Sequence, residues 1–219
     1  MKLSVLIPAY NEAESIAQIV KRVMAVPVEK EIVVVDDCST DRTFDIIRSL
    51  PGLTVCRHKV NQGKGAAIRT ALDHATGDIA VVQDADLEYD PADYPKLLAP
   101  FTDPNVHVVF GSRFLGRGSF LFTSWLANIF LTLLTNALFG GGITDMETCY
   151  KAIRLPLFRR LKLQARRFDI EPEITAKLLR LGVRIIEVPI SYHARRKGKK
   201  IGLKDAFVAC YTLLKIYVS

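Results

Sequence analysis

"DIAVVQDADLEYDP", residues 78–91, drives a short apolar run straight into acids at every second position: Asp84, Asp86, Glu88 and Asp90. A brief, near-continuous apolar run closed by polar residues is the pattern of a strand buried on both faces. The acids that follow carry a cost. Two carboxylates about 4 Å apart repel by roughly 1 kcal/mol in water, and by several times more at a protein surface. The cluster therefore needs a cation, and oxygen ligands with no His or Cys nearby select a hard one, Mg²⁺ or Mn²⁺. Mg²⁺ keeps waters and is shared with substrate phosphates, so the loop is expected to hold a metal–diphosphate. Asp90 and Asp93 read as the start of the next helix.

Outward from this stretch the same signature repeats. "LSVLIPAY" (3–10), "EIVVVDD" (31–37), "LTVCRH" (53–58) and "VHVVFGSR" (106–113) are apolar runs of strand length. Between them, "STDRTFDIIRSL" (39–50) and "GKGAAIRTALDHA" (63–75) have helical spacing, and Asn11 with Glu14 three residues on predicts a capping box before Ile16, Ile19, Val20 and Val23. The alternation implies an α/β fold, a Rossmann-like, mostly parallel sheet with helices on both faces. Functional groups in such sheets gather at the carboxyl ends of the strands, where Asp36-Asp37, Asp84-Asp86 and Ser112-Arg113 stand. Neither G-x-G-x-x-G after the first strand nor a G-x-x-x-x-G-K-[ST] loop occurs, which argues against a dinucleotide fingerprint and a P-loop. "NQGKGAA" (61–67) fits a phosphate cradle or a plain flexible turn.

The 219 residues are 49% hydrophobic and 24% charged, which suits one domain spanning 1–219. Lys and Arg exceed Asp and Glu by seven, which fits nucleic acid, a phosphorylated substrate or an anionic membrane. No aromatics interleave the basic run, so a nucleic-acid partner is not expected. Cys38, Cys56, Cys149 and Cys210 have no C-x-x-C spacing, which points to buried reduced thiols of a cytosolic protein. "MKLSVLIPAY" lacks the pattern of a signal peptide. His58, His74, His107 and His193 have no visible constellation and read as structural. "SFLFTSWLANIFLTLLTNALFGGGIT" (119–144) has no charge but carries Ser124, Asn128, Thr132 and Asn136 at successive i+4 positions. That stripe predicts a helix lying on the domain or in a bilayer interface. "LKDAFVACYTLLKIYVS" (203–219) is similar, and "RRKGKK" (195–200) beside it adds roughly 1 kcal/mol per basic residue at an anionic surface. Interface helices are thus expected at 119–139 and 203–219.

"PAYNE" (8–12), "VVDDCSTDRT" (34–43), "NQGKGAAIRTAL" (61–72), "QDADLEYDP" (83–91), "GSR" (111–113), "TDMETCYKAIR" (144–154) and "RFDIEPEITAKLLRLG" (167–182) occur in order. Together they resemble family 2 glycosyltransferases of the GT-A fold, above all the polyprenyl-phosphate sugar synthases, the branch of the dolichyl-phosphate mannose synthases. The resemblance implies an inverting, metal-dependent transfer from a nucleotide-sugar donor, GDP-mannose or a UDP-sugar, to a polyprenyl phosphate. It implies a peripheral enzyme on the cytoplasmic face of the membrane and is compatible with a membrane-spanning partner subunit. Pro8, Tyr10, Glu12 and Lys64 would meet the nucleotide and Asp37 would read the base. Asp84, Asp86 and Glu88 would meet the metal and diphosphate, Glu88 standing where some relatives have Gln. Cys38 stands where Gly is usual. A lipid phosphate is largely dianionic at neutral pH and needs cations more than a base. Arg113, Arg117, Arg195 and Lys200 are the candidates, with Arg113 expected to matter to chemistry more than to stability. A soluble enzyme using a polysaccharide or other hydroxyl acceptor is the alternative, and it would need a base at Asp145 or Glu147.

Overall fold

Apolar β-branched runs form the strands, and the order of those strands creates the site. A computed structural model describes residues 1–116, 118–119, 122–194 and 203–218. The chain runs β1 (Leu3–Ala9), α1 (Ile16–Ala25), β2 (Lys30–Asp36), α2 (Thr43–Ser49), β3 (Thr54–Arg57), α3 (Lys64–His74), β4 (Ile79–Val82), α4 (Tyr94–Leu98), β5 (Val108–Ser112) and β6 (Gly118–Ser119). It continues through α5 (Phe122–Phe139), β7 (Lys151–Arg154), α6 (Leu155–Arg160), α7 (Ile170–Arg180), β8 (Ile186–Pro189), β9 (Tyr192–His193) and α8 (Leu203–Val218). The main sheet has the order β3-β2-β1-β4-β7-β5-β8, and β6 pairs with β9 in a small second sheet. Val33, Val34 and Val35 on β2, and Val5, Leu6 and Ile7 on β1, are fully buried. Each such side chain contributes about 1.5–3 kcal/mol by leaving water.

The strand order reverses between β1 and β4, which is where ligands bind in open α/β sheets. Pro8 explains why a crevice opens there. Leu3 to Leu6 pair with Ile79 to Val82, and the last bond on that side runs from the Gln83 N–H to the Leu6 carbonyl. Pro8, next on the same side of β1, has no N–H to give, so it costs the ladder nothing where β4 turns away.

β7 is antiparallel to both β4 and β5, a reversal absent from the sequence-based expectation. Its amino end therefore lies at the carboxyl edge of the parallel strands, and residues 144–150 join the functional edge. Asn11 does not cap α1, which starts at Ile16. Asn11 is in the left-handed region (φ 53°) and its Oδ1 accepts from the Thr40 N–H at 2.8 Å, tying the β1–α1 and β2–α2 loops together. Only Cys149 among the four free cysteines is buried; Cys38, Cys56 and Cys210 are half-buried.

The uncharged helix is turned opposite to a soluble amphipathic helix. Thr132 and Asn136 face inward: the Thr132 hydroxyl accepts from the Met146 N–H at 3.1 Å, and Asn136 bonds both the N–H and the carbonyl of Ile143. Leu131 joins Met146, Ala209, Leu213 and Ile216 in a second small core between α5, α7 and α8. Trp125, Leu126, Phe130 and Leu133 face outward, as do Phe207, Tyr211, Leu214 and Tyr217 of α8. No helix among the described residues is long and apolar enough to cross a membrane.

At the opposite edge of the sheet, Glu31 receives Lys2 Nζ and the Ser4 hydroxyl at 2.6 Å each, and the Thr76 hydroxyl at 2.5 Å. Desolvation pushes this carboxyl up, but these donors outweigh it and bring it down to about 2. A folded-state value below the unfolded one, about 4.3, gives stability that is present above that value and lost as pH falls toward 2. Glu31→Gln should therefore be less stable than the wild type at pH 7 and lose less between pH 5 and pH 2, as measured by urea unfolding across that range.

Candidate active site

The acids of the opening motif are not on one face, because Leu87 adopts φ 65° and turns the chain between them. Each has its own partner. Asp84 Oδ1 lies 2.8 Å from Lys64 Nζ, and Asp86 Oδ1 accepts the Glu88 N–H at 3.2 Å. Glu88 Oε2 accepts the Tyr192 hydroxyl at 2.8 Å, and Asp90 accepts the Ala92 N–H to start a 3-10 turn. The expected three-carboxylate set of Asp84, Asp86 and Glu88 is therefore not gathered, and among the described residues no three His, Cys, Asp or Glu side chains are grouped to hold a metal. Asp84 and Asp86, hard oxygen donors at a strand end, still fit a cation completed by waters and phosphate oxygens. Glu88 is directed to Tyr192.

Lys64 shows how strongly this edge attracts positive charge. Its ammonium lies between Asp84 and Glu171, 2.8 Å from each. Desolvation opposes its charge, yet Asp84 and Glu171 override that and hold it well above the ordinary lysine range. The glycines beside it answer a packing demand. Gly63 has φ 95°, and a Cβ there would lie 2.3 Å from the Arg166 carbonyl oxygen. Gly65 meets the Ala165 carbonyl as closely, so the loop is glycine-rich to let segment 165–166 approach. The glycines of this loop thus answer a packing demand of segment 165–166.

Asp37 holds the same loop. Its carboxylate accepts the Gln62 and Gly63 N–H groups at 2.9 and 2.7 Å and meets His58 Nδ1 at 2.6 Å. His58 Nε2 in turn lies 2.9 Å from the Thr70 hydroxyl. Asp37 thus fixes residues 62–63 and orients His58. His58 does have a constellation, contrary to the sequence reading. Glu12 is buried, its N–H donating to Thr43 Oγ1 at 2.8 Å and its carboxylate accepting from Ser15, while Pro8 and Tyr10 are half-buried at the mouth of β1. Cys38 sits at φ 62°, in the region its usual glycine adopts without strain.

Arg113 and Asp145 form a buried fork. Arg113 Nε and NH2 each lie 2.7 Å from one Asp145 oxygen, and the Arg113 backbone N–H adds a third bond at 2.9 Å. Desolvation works against the guanidinium, but Asp145 holds its pKa well above the arginine range. Asp145, wholly buried with both oxygens committed, is the counter-ion of Arg113 and is withdrawn as a base. Arg113 is thereby bound into the interior as well as standing at a strand end. Arg117, Arg195 and Lys200 lie outside the described residues.

Glu147 lies two residues beyond Asp145 in the same loop. Desolvation first, then repulsion by Glu171, raise its carboxyl to about 7, and its Oε1 is buried with no hydrogen-bond partner among the described residues. Nearby, the fully buried Lys151 donates to the Met146 and Thr148 carbonyls, fixing the loop that carries Asp145 and Glu147. Burial lowers the Lys151 pKa against the pull of Glu171 and Glu147. Glu171, Lys151 and Tyr192 join this edge, though the sequence motifs do not single them out. Lys151, charged amid "CYKAIR", was the visible signal, since a lysine in a buried strand needs a reason.

The switch-point crevice, the strand-end acids and the inserted antiparallel strand are those of a GT-A sugar transferase. A family model described as "Glycosyl transferase family 2" matches residues 4–162, and the chain belongs to that family. It is 29% identical over 229 residues to the dodecaprenyl-phosphate galacturonate synthase of Rhizobium johnstonii, covering 99% of this chain and spanning 66% of that one. It is 29% identical over 217 residues to the undecaprenyl-phosphate mannosyltransferase of Micrococcus luteus, covering 91% and 86%. Among solved structures, glucosyl-3-phosphoglycerate synthase from Mycobacterium tuberculosis in complex with uridine diphosphate superposes with a TM-score of 0.77 at 25% identity, over 99% of this chain and 80% of that one. That enzyme is also solved with UDP and Mn²⁺ and with UDP and Mg²⁺.

Two outcomes are expected. Asp145→Ala leaves Arg113 buried without its counter-ion and should cost about 3–5 kcal/mol in urea unfolding, while the double change Arg113→Met with Asp145→Leu recovers part of it. Glu147, with a folded-state value above the unfolded one, holds a proton that the unfolded chain releases, so stability falls as pH rises from about 4.3 to 7. Glu147→Gln cannot release it, and its melting temperature should gain on the wild type between pH 5 and pH 8.

Proposed function

We propose that the chain transfers a sugar from a nucleotide-sugar donor, GDP-mannose or a UDP-sugar, to a polyprenyl phosphate at the cytoplasmic surface of a membrane. The observation that carries this reading is the link between an apolar surface and a site cation. The outward apolar face of α5 belongs to a helix whose Thr132 holds the Met146 N–H, one residue from the Asp145 that grips Arg113. A lipid acceptor needs that pairing, with its tail in the bilayer and its phosphate beside a cation.

The roles follow from placement. Pro8, Tyr10 and Glu12 line the crevice for the nucleoside, and Asp37 shapes it by fixing residues 61–63. Lys64 faces the diphosphate, and Asp84 and Asp86 would hold Mg²⁺ or Mn²⁺. When bound, such an ion supplies Lewis-acid neutralisation of charge on the leaving diphosphate. Arg113 presents a guanidinium to the acceptor, backed by Asp145 so that it keeps one orientation. Arg117, Arg195 and Lys200 add charge by sequence. The phosphate nucleophile is already ionised, so no base is required. Glu147, near neutral pH in its affinity for a proton, suits the alternative in which the acceptor is a hydroxyl.

The test is a transfer assay with the purified chain, labelled GDP-mannose or UDP-sugars, Mn²⁺, and vesicles containing polyprenyl phosphate. Label should enter the lipid phase, and Asp86→Ala should reduce that by about a hundredfold or more with the circular dichroism unchanged. Label reaching only soluble hydroxyl acceptors, with loss in Glu147→Gln, would replace the lipid reading with the soluble one.

A further inference from the structure

We infer that Glu187 and Asn136 are positioning residues that hold the backbone around Thr144 and Asp145 from two elements, and that through Asp145 they set the orientation of the Arg113 guanidinium. The inference rests on the sugar-transfer reading above, in which Arg113 faces the acceptor phosphate. Glu187 lies half-buried on β8, the edge strand of the main sheet, paired with Phe110 of β5. Its two oxygens take successive backbone donors: Oε2 accepts the Thr144 N–H at 2.7 Å and Oε1 the Asp145 N–H at 3.1 Å. Asn136 of α5 grips the residue before them. Its Nδ2 donates to the Ile143 carbonyl at 2.8 Å and its Oδ1 accepts the Ile143 N–H at 3.2 Å.

Packing alone leaves the approach to this segment loose. Among the described residues, a side chain at Gly140 or Gly142 would meet nothing within 4 Å. Hydrogen bonds fix the path instead. The Thr144 hydroxyl lies 2.6 Å from the Ser112 hydroxyl, one residue before Arg113, and the Thr132 hydroxyl accepts the Met146 N–H. Asp145 is therefore held at its own N–H and at the N–H on either side of it, while both its oxygens are spent on Arg113.

Stability gives no reason for an acid at position 187. Burial raises the Glu187 carboxyl above its ordinary value, and the nearby Asp145 charge adds to that rise against the pull of the two N–H groups. An acid shifted upward opposes folding in its charged form, so the reason for it lies in what it holds. A carboxylate accepts two successive N–H groups at once, whereas an amide offers one oxygen and turns its NH2 toward the second donor. If the Asp145 backbone shifted, its carboxylate would still pair with Arg113, but the guanidinium would turn with it. A fork aimed at a phosphate loses by such a turn, since its contacts depend on direction.

The test uses the full chain. With isotopically labelled arginine, the Arg113 Nε–H resonance is identified by its absence from Arg113→Lys, and its exchange with water is followed. Glu187→Gln should speed that exchange by about tenfold or more, with little change in melting temperature. In the transfer assay the same variant should raise the KM for polyprenyl phosphate about three- to tenfold and leave the affinity for UDP or GDP with Mn²⁺ unchanged. In an Arg113→Lys background it should raise that KM no further, because its effect passes through Arg113. Asn136→Ala, which frees the same backbone from α5, should show both changes. Exchange as slow as in the wild type in both variants, equal loss of donor and acceptor affinity, or a KM shift as large in the Arg113→Lys background overturns the inference alone. A wild-type chain that moves no sugar to polyprenyl phosphate overturns the transfer reading, and the exchange rates then still decide whether Glu187 and Asn136 orient Arg113.

Discussion

Negative charge gathered at one edge of a sheet is the constraint on which this structure turns. Asp145 and Glu171 are buried and Glu147 lies within their influence, with Asp84 half-buried on the other side of Lys64, and carboxylates so placed repel more strongly than in solution. Lys64 answers Asp84 and Glu171, and Arg113 answers Asp145. These cations come from different elements, Lys64 from the start of α3 and Arg113 from the end of β5, with Lys151 on β7 adding a third charge nearby. The fold is required to bring them together, and they in turn hold its loops in register. At Glu147, burial and the repulsion of Glu171 outweigh the pull of Lys151 and Arg113, and the result is its raised affinity for a proton.

The direction of β7 decides which loops take part. Running against β4 and β5, it delivers the stretch from Thr144 to Tyr150 to the functional edge, where Glu187 of β8 accepts the Thr144 and Asp145 N–H groups. Backbone strain collects at the same edge. Asn11, Cys38 and Leu87 all occupy the left-handed region, each at a cost of order 1 kcal/mol, and each lies in a loop leaving β1, β2 or β4. Leu87 separates acids that sequence spacing alone would have put on one face.

Much of this was legible in the residues. Strands β1 to β5 and helix α3 follow from apolar runs and helical spacing, because those patterns report burial directly. Asp84, Asp86, Lys64 and Arg113 were visible because acids and bases at strand ends are read against the rule for open sheets. What was hidden depended on partners distant in sequence. The Asp145 oxygens could not be known to be taken by Arg113, nor His58 to bridge Asp37 and Thr70. The polar stripe of α5 was found, but which side it faced was decided by Ile143 and Met146, whose own positions depend on β7. Antiparallel insertion leaves no mark on a four-residue strand such as "KAIR".

Pro8 acts through what it withholds. Where another residue would let β1 and β4 close up by one more ladder bond, proline leaves the two strands apart whatever else is present. The opening is therefore a property of the covalent chain and does not wait on a ligand to part the strands. The separation is written into the residue type at position 8.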